Sequence, residues 1–116
     1  MMRLFGILFI CTLCAPMGAG AQSTVIADGI YDAYDCSVRI SDQRIEVTGN
    51  HLAFYESSCD ITNPQSIPGL ERTTIYDAAC QGEGETWSTR FILMQTHDGG
   101  LASMDEIWGD HYERCN

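Results

Sequence analysis

Residues 45–55, which read IEVTGNHLAFY, decide the fold class. Apolar residues take alternate positions on both sides of Gly49-Asn50, which is the period of a strand with one buried face. A two-residue connection of this composition between two such runs is typical of a β-hairpin turn. The cross-strand pairs of this hairpin are predicted to be Thr48 with His51, Val47 with Leu52, and Ile45 with Phe54.

Short alternating runs separated by turn residues continue along the rest of the chain. Residues 63–69 contain two prolines and are predicted to form a surface loop that divides two sheets of one barrel. The pattern predicts an all-β domain, a small antiparallel meander barrel or sandwich of about seven to eight strands. The strands are predicted at residues 36–40, 44–48, 51–56, 71–80, 86–95 and 101–108, and in a final run from Gly109 to Cys115.

Residues 1–21 have the organisation of a signal peptide. A short positive start ending at Arg3 precedes an apolar run of 12 residues, and small residues follow at 19–21. The apolar run is too short to span a bilayer, which needs about 20 residues. We therefore predict export with cleavage before Gln22. This leaves residues 22–116 as a single secreted β domain, located in the periplasm or outside the cell.

The exported part is strongly acidic. The whole chain has 16 acidic residues, six arginines and no lysine, so loss of Arg3 leaves residues 22–116 with a charge of −11. Phosphate backbones are held by clustered lysine and arginine, which argues against a nucleic-acid binder. A field of this sign instead steers basic protein surfaces toward the domain.

Four cysteines remain in the exported part, and an even number in an oxidising compartment predicts two disulfides. Four cysteines permit three pairings. If residues 36–56 form a meander, Cys36 and Cys59 start at opposite ends, beyond the roughly 7 Å between Cα atoms that a disulfide tolerates. We therefore predict that Cys36 pairs with Cys115 and that Cys59 pairs with Cys80.

The two ends of the exported part contain residues suited to closing a barrel. Tyr31 lies near the start, and Arg114 stands beside the final cysteine. An aromatic ring that fills the floor of a small barrel is stabilised by a guanidinium stacked on it, through a cation–π interaction. We predict this structural role for the two residues.

Apolar residues on the predicted outer surface suggest a partner-binding site. Ile92 and Met94 fall on the face opposite to Trp87, Phe91 and Leu93, so both faces of that strand are apolar. Either another part of the chain or a partner covers the second face. The predicted partner-binding residues are Trp108, Met104, Ile92 and Met94.

The histidines do not indicate a metal site or a catalytic centre. His51, His97 and His111 fall in or beside predicted turns, and their spacing matches no local zinc motif. The serines lack the glycine-bounded turn of a hydrolase nucleophile. We predict no catalytic residue, metal or cofactor, while a small hydrolase or metal site would require the histidines to converge with carboxylates.

These observations favour a non-enzymatic binding domain whose partner is a basic protein. The alternative is a small barrel that carries a hydrophobic ligand in its interior, which requires an eight-stranded barrel not filled by its own side chains. The alternating apolar residues, Trp87 and Phe54 among them, are expected to fill it. A large cavity would favour the carrier instead.

The predicted layout, a secreted barrel with a disulfide between its first and last strands, resembles that of bacterial inhibitors of c-type lysozyme. The resemblance implies a strongly basic protein target. That family's Ser-Gly-x-x-Tyr loop is not found in this sequence, and its Lys-Gly motif is impossible without lysine. The resemblance therefore implies no site residue here.

Overall fold

The computed structural model describes residues 26–116 and Thr12. The predicted signal peptide, residues 1–21, otherwise lies outside the described residues. Within residues 26–116 the chain is all-β, as predicted, and forms eight strands without a helix. The strands are β1 (Gly29–Asp32), β2 (Arg44–Thr48), β3 (His51–Ala53), β4 (Ser57–Ile67), β5 (Leu70–Gly82), β6 (Glu85–Gln95), β7 (Leu101–Met104) and β8 (Gly109–Arg114).

The strands form one closed antiparallel barrel in which each strand pairs with the next and β8 returns to β1. Of the two predicted architectures, the meander barrel is therefore correct and the sandwich is wrong. Closure joins the first strand to the last at two positions, Tyr31 with Arg114 and Asp32 with Glu113. Closure matters because an open sheet of this kind leaves two edge strands with unpaired backbone groups.

The hairpin of β2 and β3 has the predicted register over its inner pairs. Val47 lies opposite Leu52, and both are buried because they point into the barrel. The pairing ends one residue short of the predicted Ile45–Phe54 pair. Beyond it the chain turns into β4, where the N–H of Phe54 donates to the carbonyl of Ser57 at 2.8 Å.

Three predictions of local structure are wrong. Residues 36–40 form no strand but belong to the loop between β1 and β2. Residues 63–69 form no dividing loop, because β4 runs to Ile67 and a tight turn leads directly into β5. The seventh strand ends at Met104, so residues 105–108 are a loop rather than the second half of a strand.

A buried carboxylate organises the loop between β1 and β2. The side chain of Asp32 is fully buried and accepts hydrogen bonds from the N–H groups of Tyr34 and Asp35 and from the hydroxyl of Ser41. Its second oxygen accepts a bond from Arg44 Nε at 2.9 Å. Burial raises the pKa of Asp32, but these hydrogen bonds and the arginine charge outweigh it and hold that pKa below its ordinary value. The loop folds around this ion pair instead of forming a strand.

One end of the barrel is closed by the predicted pair. Tyr31 is fully buried, and its hydroxyl donates to the carbonyl of Ala27 at 2.7 Å. The guanidinium carbon of Arg114 lies 5.8 Å from the centroid of the Tyr31 ring, within the range of a cation–π interaction. Gln95 donates to the carbonyls of the β6–β7 turn and completes this floor.

Both predicted disulfides are present. Cys36 bonds to Cys115 with 5.3 Å between Cα atoms, and Cys59 bonds to Cys80 with 4.0 Å. The first fixes the β1–β2 loop, not a strand, to the residue after β8, so the pairing is correct although the predicted strand at 36–40 is not. The second links β4 to β5 between residues that lie directly opposite. Two disulfides are consistent with an oxidising location.

Removal of the disulfides is expected to have unequal effects. The Cys36–Cys115 bond closes a loop of 79 residues and the Cys59–Cys80 bond one of 21. Loop-closure entropy assigns them about 4.5 and about 3.3 kcal/mol. In urea unfolding, the Cys36→Ser, Cys115→Ser variant should therefore be the less stable by about 1 kcal/mol. Equal midpoints and slopes for the two double variants would contradict this order.

Substitution of the buried carboxylate should make stability less dependent on acid. Asp32→Asn removes the charge that faces Arg44, and we expect a loss of about 2 kcal/mol at pH 7. A lowered pKa in the folded state means that this stability is present above about pH 4 and is lost as the pH falls through the folded-state pKa. The gap between wild type and variant in urea unfolding should thus close toward pH 2. Asp42→Asn, an exposed carboxylate of the same loop, is the matched control.

Candidate binding site at the open end of the barrel

The barrel is open at the end opposite Tyr31. A cavity of about 480 Å³ occupies this end, which we call the mouth. Its floor is formed by buried residues of the barrel interior, and its rim by the start of β6 and the β7–β8 loop. The lining residues are Asp42, Gln43, Arg44, Ile45, Phe54, Ser57, Cys59, Trp87, Ser88, Thr89, Phe91, Ser103, Asp105, Glu106, Ile107, Trp108, Asp110 and Tyr112.

Unequal strand lengths keep the mouth open. The sixth strand has 11 residues and the seventh has four, so β7 pairs only with the last part of β6, from Ile92 to Gln95. Trp87 and Leu93 both point to the inner side of β6, since they are separated by an even number of positions. Leu93 is 1% exposed and Trp87 is 42% exposed, because only Leu93 has β7 beside it.

The β7–β8 loop presents two large apolar side chains at the rim. Ile107 is 78% exposed and Trp108 is 71% exposed. Asp105 Oδ1 accepts hydrogen bonds from the N–H of Ile107 at 2.8 Å and of Trp108 at 2.7 Å. The N–H of Asp105 donates in turn to the carbonyl of Trp108 at 2.9 Å. The loop is therefore held by its own hydrogen bonds, and both side chains are presented on a fixed backbone.

The mouth is negatively charged. Asp42, Asp105, Glu106 and Asp110 line it, and Arg44 is the one cation among its described lining residues. The guanidinium of Arg44 is bonded to Asp32 and to loop carbonyls, including that of Val38 at 2.7 Å. The rim carboxylates therefore face the cavity without a cation to neutralise them.

Tyr112, beneath the rim, reports this field. Burial raises its pKa, and the charges of Asp110, Asp105 and Asp32 raise it further, to about 12. A carboxylate near a phenol disfavours the phenolate because like charges repel. The electrostatic potential at the base of the mouth is therefore one that favours a cation.

A second acidic recess lies on the other side of Trp87, lined by Glu56, Glu83 and Glu85 among others. A hydrogen bond from Glu83 and the repulsion of its charge raise the pKa of Glu56 above its ordinary value. Both glutamates are exposed, so water screens the pair. Trp87 is thus flanked by carboxylates on two sides.

The structure divides the predicted partner-binding residues between two places. Ile92 and Met104 lie directly opposite each other on the outer face of β6 and β7, with Met94 two residues along β6. Met104 is 53% exposed and Met94 is 36% exposed. Trp108 lies at the mouth instead. The assignment of these residues to a partner surface stays a prediction.

Sequence reasoning missed three features of the mouth. It placed Trp87 in the core, because alternation shows which way a side chain points but not whether a neighbouring strand covers it. Ile107 was read as part of a strand rather than of an exposed loop. The signal for the loop was Asp105 two and three residues before Ile107 and Trp108, which is the spacing of an Asx turn.

The histidines lie on three different elements. His51 Nδ1 is 2.8 Å from Asp60 Oδ1 on the barrel surface, His97 lies in the β6–β7 turn and His111 lies on β8. In the part of the chain that the structure describes, no three histidine, cysteine or acidic side chains are grouped as metal ligands would be. The same described residues include no helix long and apolar enough to cross a membrane.

Comparison with known proteins gives no relative: no family model matches the chain, and no curated protein or solved structure matches it either. The fold and the mouth themselves define the class. This is an acidic eight-stranded antiparallel barrel, stapled by two disulfides, with one floor closed by Tyr31 and Arg114 and one mouth lined by tryptophan and carboxylates.

Neutralising the rim should lower the pKa of Tyr112. We expect the Asp105→Asn, Asp110→Asn variant to titrate below the wild-type value of about 12 but above 10, since burial is the larger cause and remains. A raised tyrosine pKa stabilises the fold below about pH 10, and this contribution is lost between about pH 10 and 12. NMR of ¹³Cζ-labelled tyrosine measures the titration. Asp60→Asn, on the outer surface, is the control, and an unchanged Tyr112 titration in the double variant would contradict the field described here.

Proposed function

We propose that this protein is a non-enzymatic, exported binding domain that holds a basic protein at its mouth. The observation that carries the proposal is the juxtaposition of exposed Trp87, Ile107 and Trp108 with four uncompensated carboxylates around one cavity. Lysine and arginine side chains combine an apolar stem with a charged end. A rim of aromatic and acidic groups is complementary to both parts.

Charge supports the proposal by acting before contact. A net charge of −11 on residues 22–116 attracts a basic surface over a distance set by the ionic strength. Complementary potentials of this kind raise association rates and orient the partner. Carboxylates concentrated at the mouth direct that attraction to the end where the apolar side chains are exposed.

The apolar groups supply what charge alone lacks. Tryptophan is among the residues that contribute most to binding free energy at protein interfaces. Trp108 and Ile107 stand on a loop already ordered by Asp105, so little backbone freedom is lost when a partner binds. Their exposure is also costly in an isolated domain, which is consistent with a surface that a partner covers.

A location outside the cytoplasm follows from the same proposal. The two disulfides need an oxidising environment, and the predicted signal peptide would deliver the domain to the periplasm or the extracellular space. Basic partners there include enzymes of the c-type lysozyme kind, which the resemblance in layout suggests as the first to assay.

The cavity volume favours a second candidate, the carrier of a small ligand. Ligand pockets span about 300 to 1,000 Å³, and about 480 Å³ lies within that range. The interior is filled at the Tyr31 end and open at the mouth, so the expectation that side chains fill the whole barrel is wrong for that end. The rim carboxylates favour a ligand that is itself cationic. A bound small molecule in native mass spectra of the purified domain would support the carrier.

The proposed function is tested by capture on oxidised residues 22–116, first with a c-type lysozyme and then with envelope and culture-fluid extracts. We expect a basic protein that is released by salt, since exposed charges are screened. Trp108→Ala should weaken its binding about 30-fold, the effect of a central anchor of about 2 kcal/mol.

Two matched variants locate the surface. Leu70→Ala changes an exposed apolar residue at the far hairpin tip and should leave affinity unchanged. Met94→Ala and Met104→Ala test the outer face of β6 and β7, and a loss of binding there with none at Trp108 would move the site from the mouth to that face. Binding that persists at high salt would rule out electrostatic steering.

A further inference from the structure

The sixth strand has a free edge within the closed barrel. On one side β6 pairs with β5 along nearly its whole length, from Glu85 to Met94. On the other side its partner β7 reaches only Ile92–Gln95. Among the described strands none pairs with this side of residues 85–91. Seven residues of regular strand therefore border the mouth with one edge open.

The turn before β6 determines which backbone groups point outward. Glu83 and Gly84 form a two-residue turn with φ angles of 50° and 78°, so Gly82 and Glu85 are its hydrogen-bonded closing pair. Bonded and non-bonded positions alternate along an antiparallel ladder. Residues 85, 87, 89 and 91 therefore bond to β5. The N–H and C=O groups of Thr86, Ser88 and Arg90 point to the open side.

A second unpaired edge shows what protection looks like in the same molecule. Residues 62–67 of β4 extend beyond β3, whose pairing ends at Asp60. That edge is interrupted by Pro64, by Asn63 with a φ of 51° and by two shifts of register. Proline, bulges and twists of this kind prevent strand addition.

The β6 edge carries no such protection. Residues 85–91 contain no proline, and their pairing with β5 runs without a shift of register. The outward-facing side chains near its centre, Thr86 and Ser88, are small. The guanidinium of Arg90 is drawn toward the β5 side by Asp77, with 3.0 Å between Arg90 Nε and Asp77 Oδ1. The edge is therefore accessible where it borders the cavity.

Charge decides which kind of strand fits this edge. Glu83 and Glu85 stand at one end of it, and Asp105, Glu106 and Asp110 face it across the cavity. A second copy of this chain would bring another −11 charge to the same place. An extended segment rich in lysine or arginine would instead find carboxylates on both sides.

We propose that the basic partner contributes an extended segment that adds as a strand to residues 85–91 of β6. The inference rests on the proposed function and names the mode by which it works. Backbone hydrogen bonds to Thr86, Ser88 and Arg90 hold the segment, as in other cases of strand addition. Alternate side chains of an added strand point to one face. One set enters the mouth between Trp87 and Trp108, where the basic groups meet the rim carboxylates.

The free protein gives the first check. In amide hydrogen exchange the N–H groups of Trp87 and Thr89 should be slow, because they bond to β5, and those of Thr86 and Ser88 fast. An alternation of this kind identifies an open edge. Slow exchange at Thr86 and Ser88 that grows with protein concentration would mean that a second copy occupies the edge, and would overturn the assignment to a basic partner.

The direct test uses an end-blocked eight-residue peptide of alternating lysine and valine. We expect it to slow exchange at Thr86, Ser88 and Arg90. Two further peptides, N-methylated at every lysine or at every valine, each keep the side chains but block one peptide edge. One of them should bind about tenfold more weakly, since it loses the bonds to β6.

Variants at one position separate backbone pairing from side-chain contact. Ser88→Pro removes an outward N–H without taking a bond from β5, and a proline is tolerated where the N–H of an edge strand faces solvent. We expect it to weaken peptide binding about tenfold. Ser88→Ala keeps the N–H and should bind like wild type. Circular dichroism and thermal unfolding establish that both variants fold.

The outcomes distinguish this inference from the proposed function. If both methylated peptides and Ser88→Pro bind normally while Trp108→Ala does not, the mouth binds basic chains but strand addition is wrong. If the peptide does not bind wild type at all, strand addition by a basic segment is wrong, and the capture of folded basic proteins is judged on its own result. Loss of capture with retained peptide binding would overturn the proposed function and leave the edge as a peptide site.

Discussion

Closure of the barrel between β1 and β8 is the constraint on which the rest of the structure depends. In a meander every inner strand has two neighbours, so only this junction prevents the first and last strands from being edges. The junction is short, with two residue pairs and a bond from the N–H of Cys115 to the carbonyl of Ile30. It is reinforced from both sides. The Cys36–Cys115 disulfide fixes the preceding loop to it, and Arg114 lies over the buried Tyr31 ring.

The mouth follows from closing a barrel with strands of unequal length. The three long strands, β4 to β6, have 11 to 13 residues, whereas β1, β3 and β7 have three or four. All eight can meet only over the length of the shortest, so the long strands project beyond it. On β6 that projection exposes Trp87 and leaves the edge of residues 85–91 unpaired. The open cavity, the exposed aromatic ring and the free edge therefore have one origin.

The sequence predicts what local pattern controls and misses what neighbours control. The Val47–Leu52 register, the disulfides and the Tyr31–Arg114 floor depend on alternation, cysteine parity and residue type, and all three are confirmed. Residues 36–40 looked like a strand because the buried ion pair that folds them into a loop joins Asp32 to Arg44 across the whole segment. Trp87 was placed in the core because its direction is local, whereas its burial depends on the length of β7.

The arginines explain why the acidity is directed outward. Three of the five beyond residue 21 have defined contacts within the barrel: Arg44 with Asp32, Arg90 with Asp77 and Arg114 with Tyr31. A guanidinium suits these places because it is planar and makes several fixed hydrogen bonds. Their positive charge is thereby committed to structure, and no lysine is available to balance the rim. Acidity that served solubility alone would need no such arrangement, since carboxylates spread evenly over the surface would do the same. Here they stand beside Trp108 and an open strand edge, which is where a basic partner finds apolar, ionic and backbone contacts together.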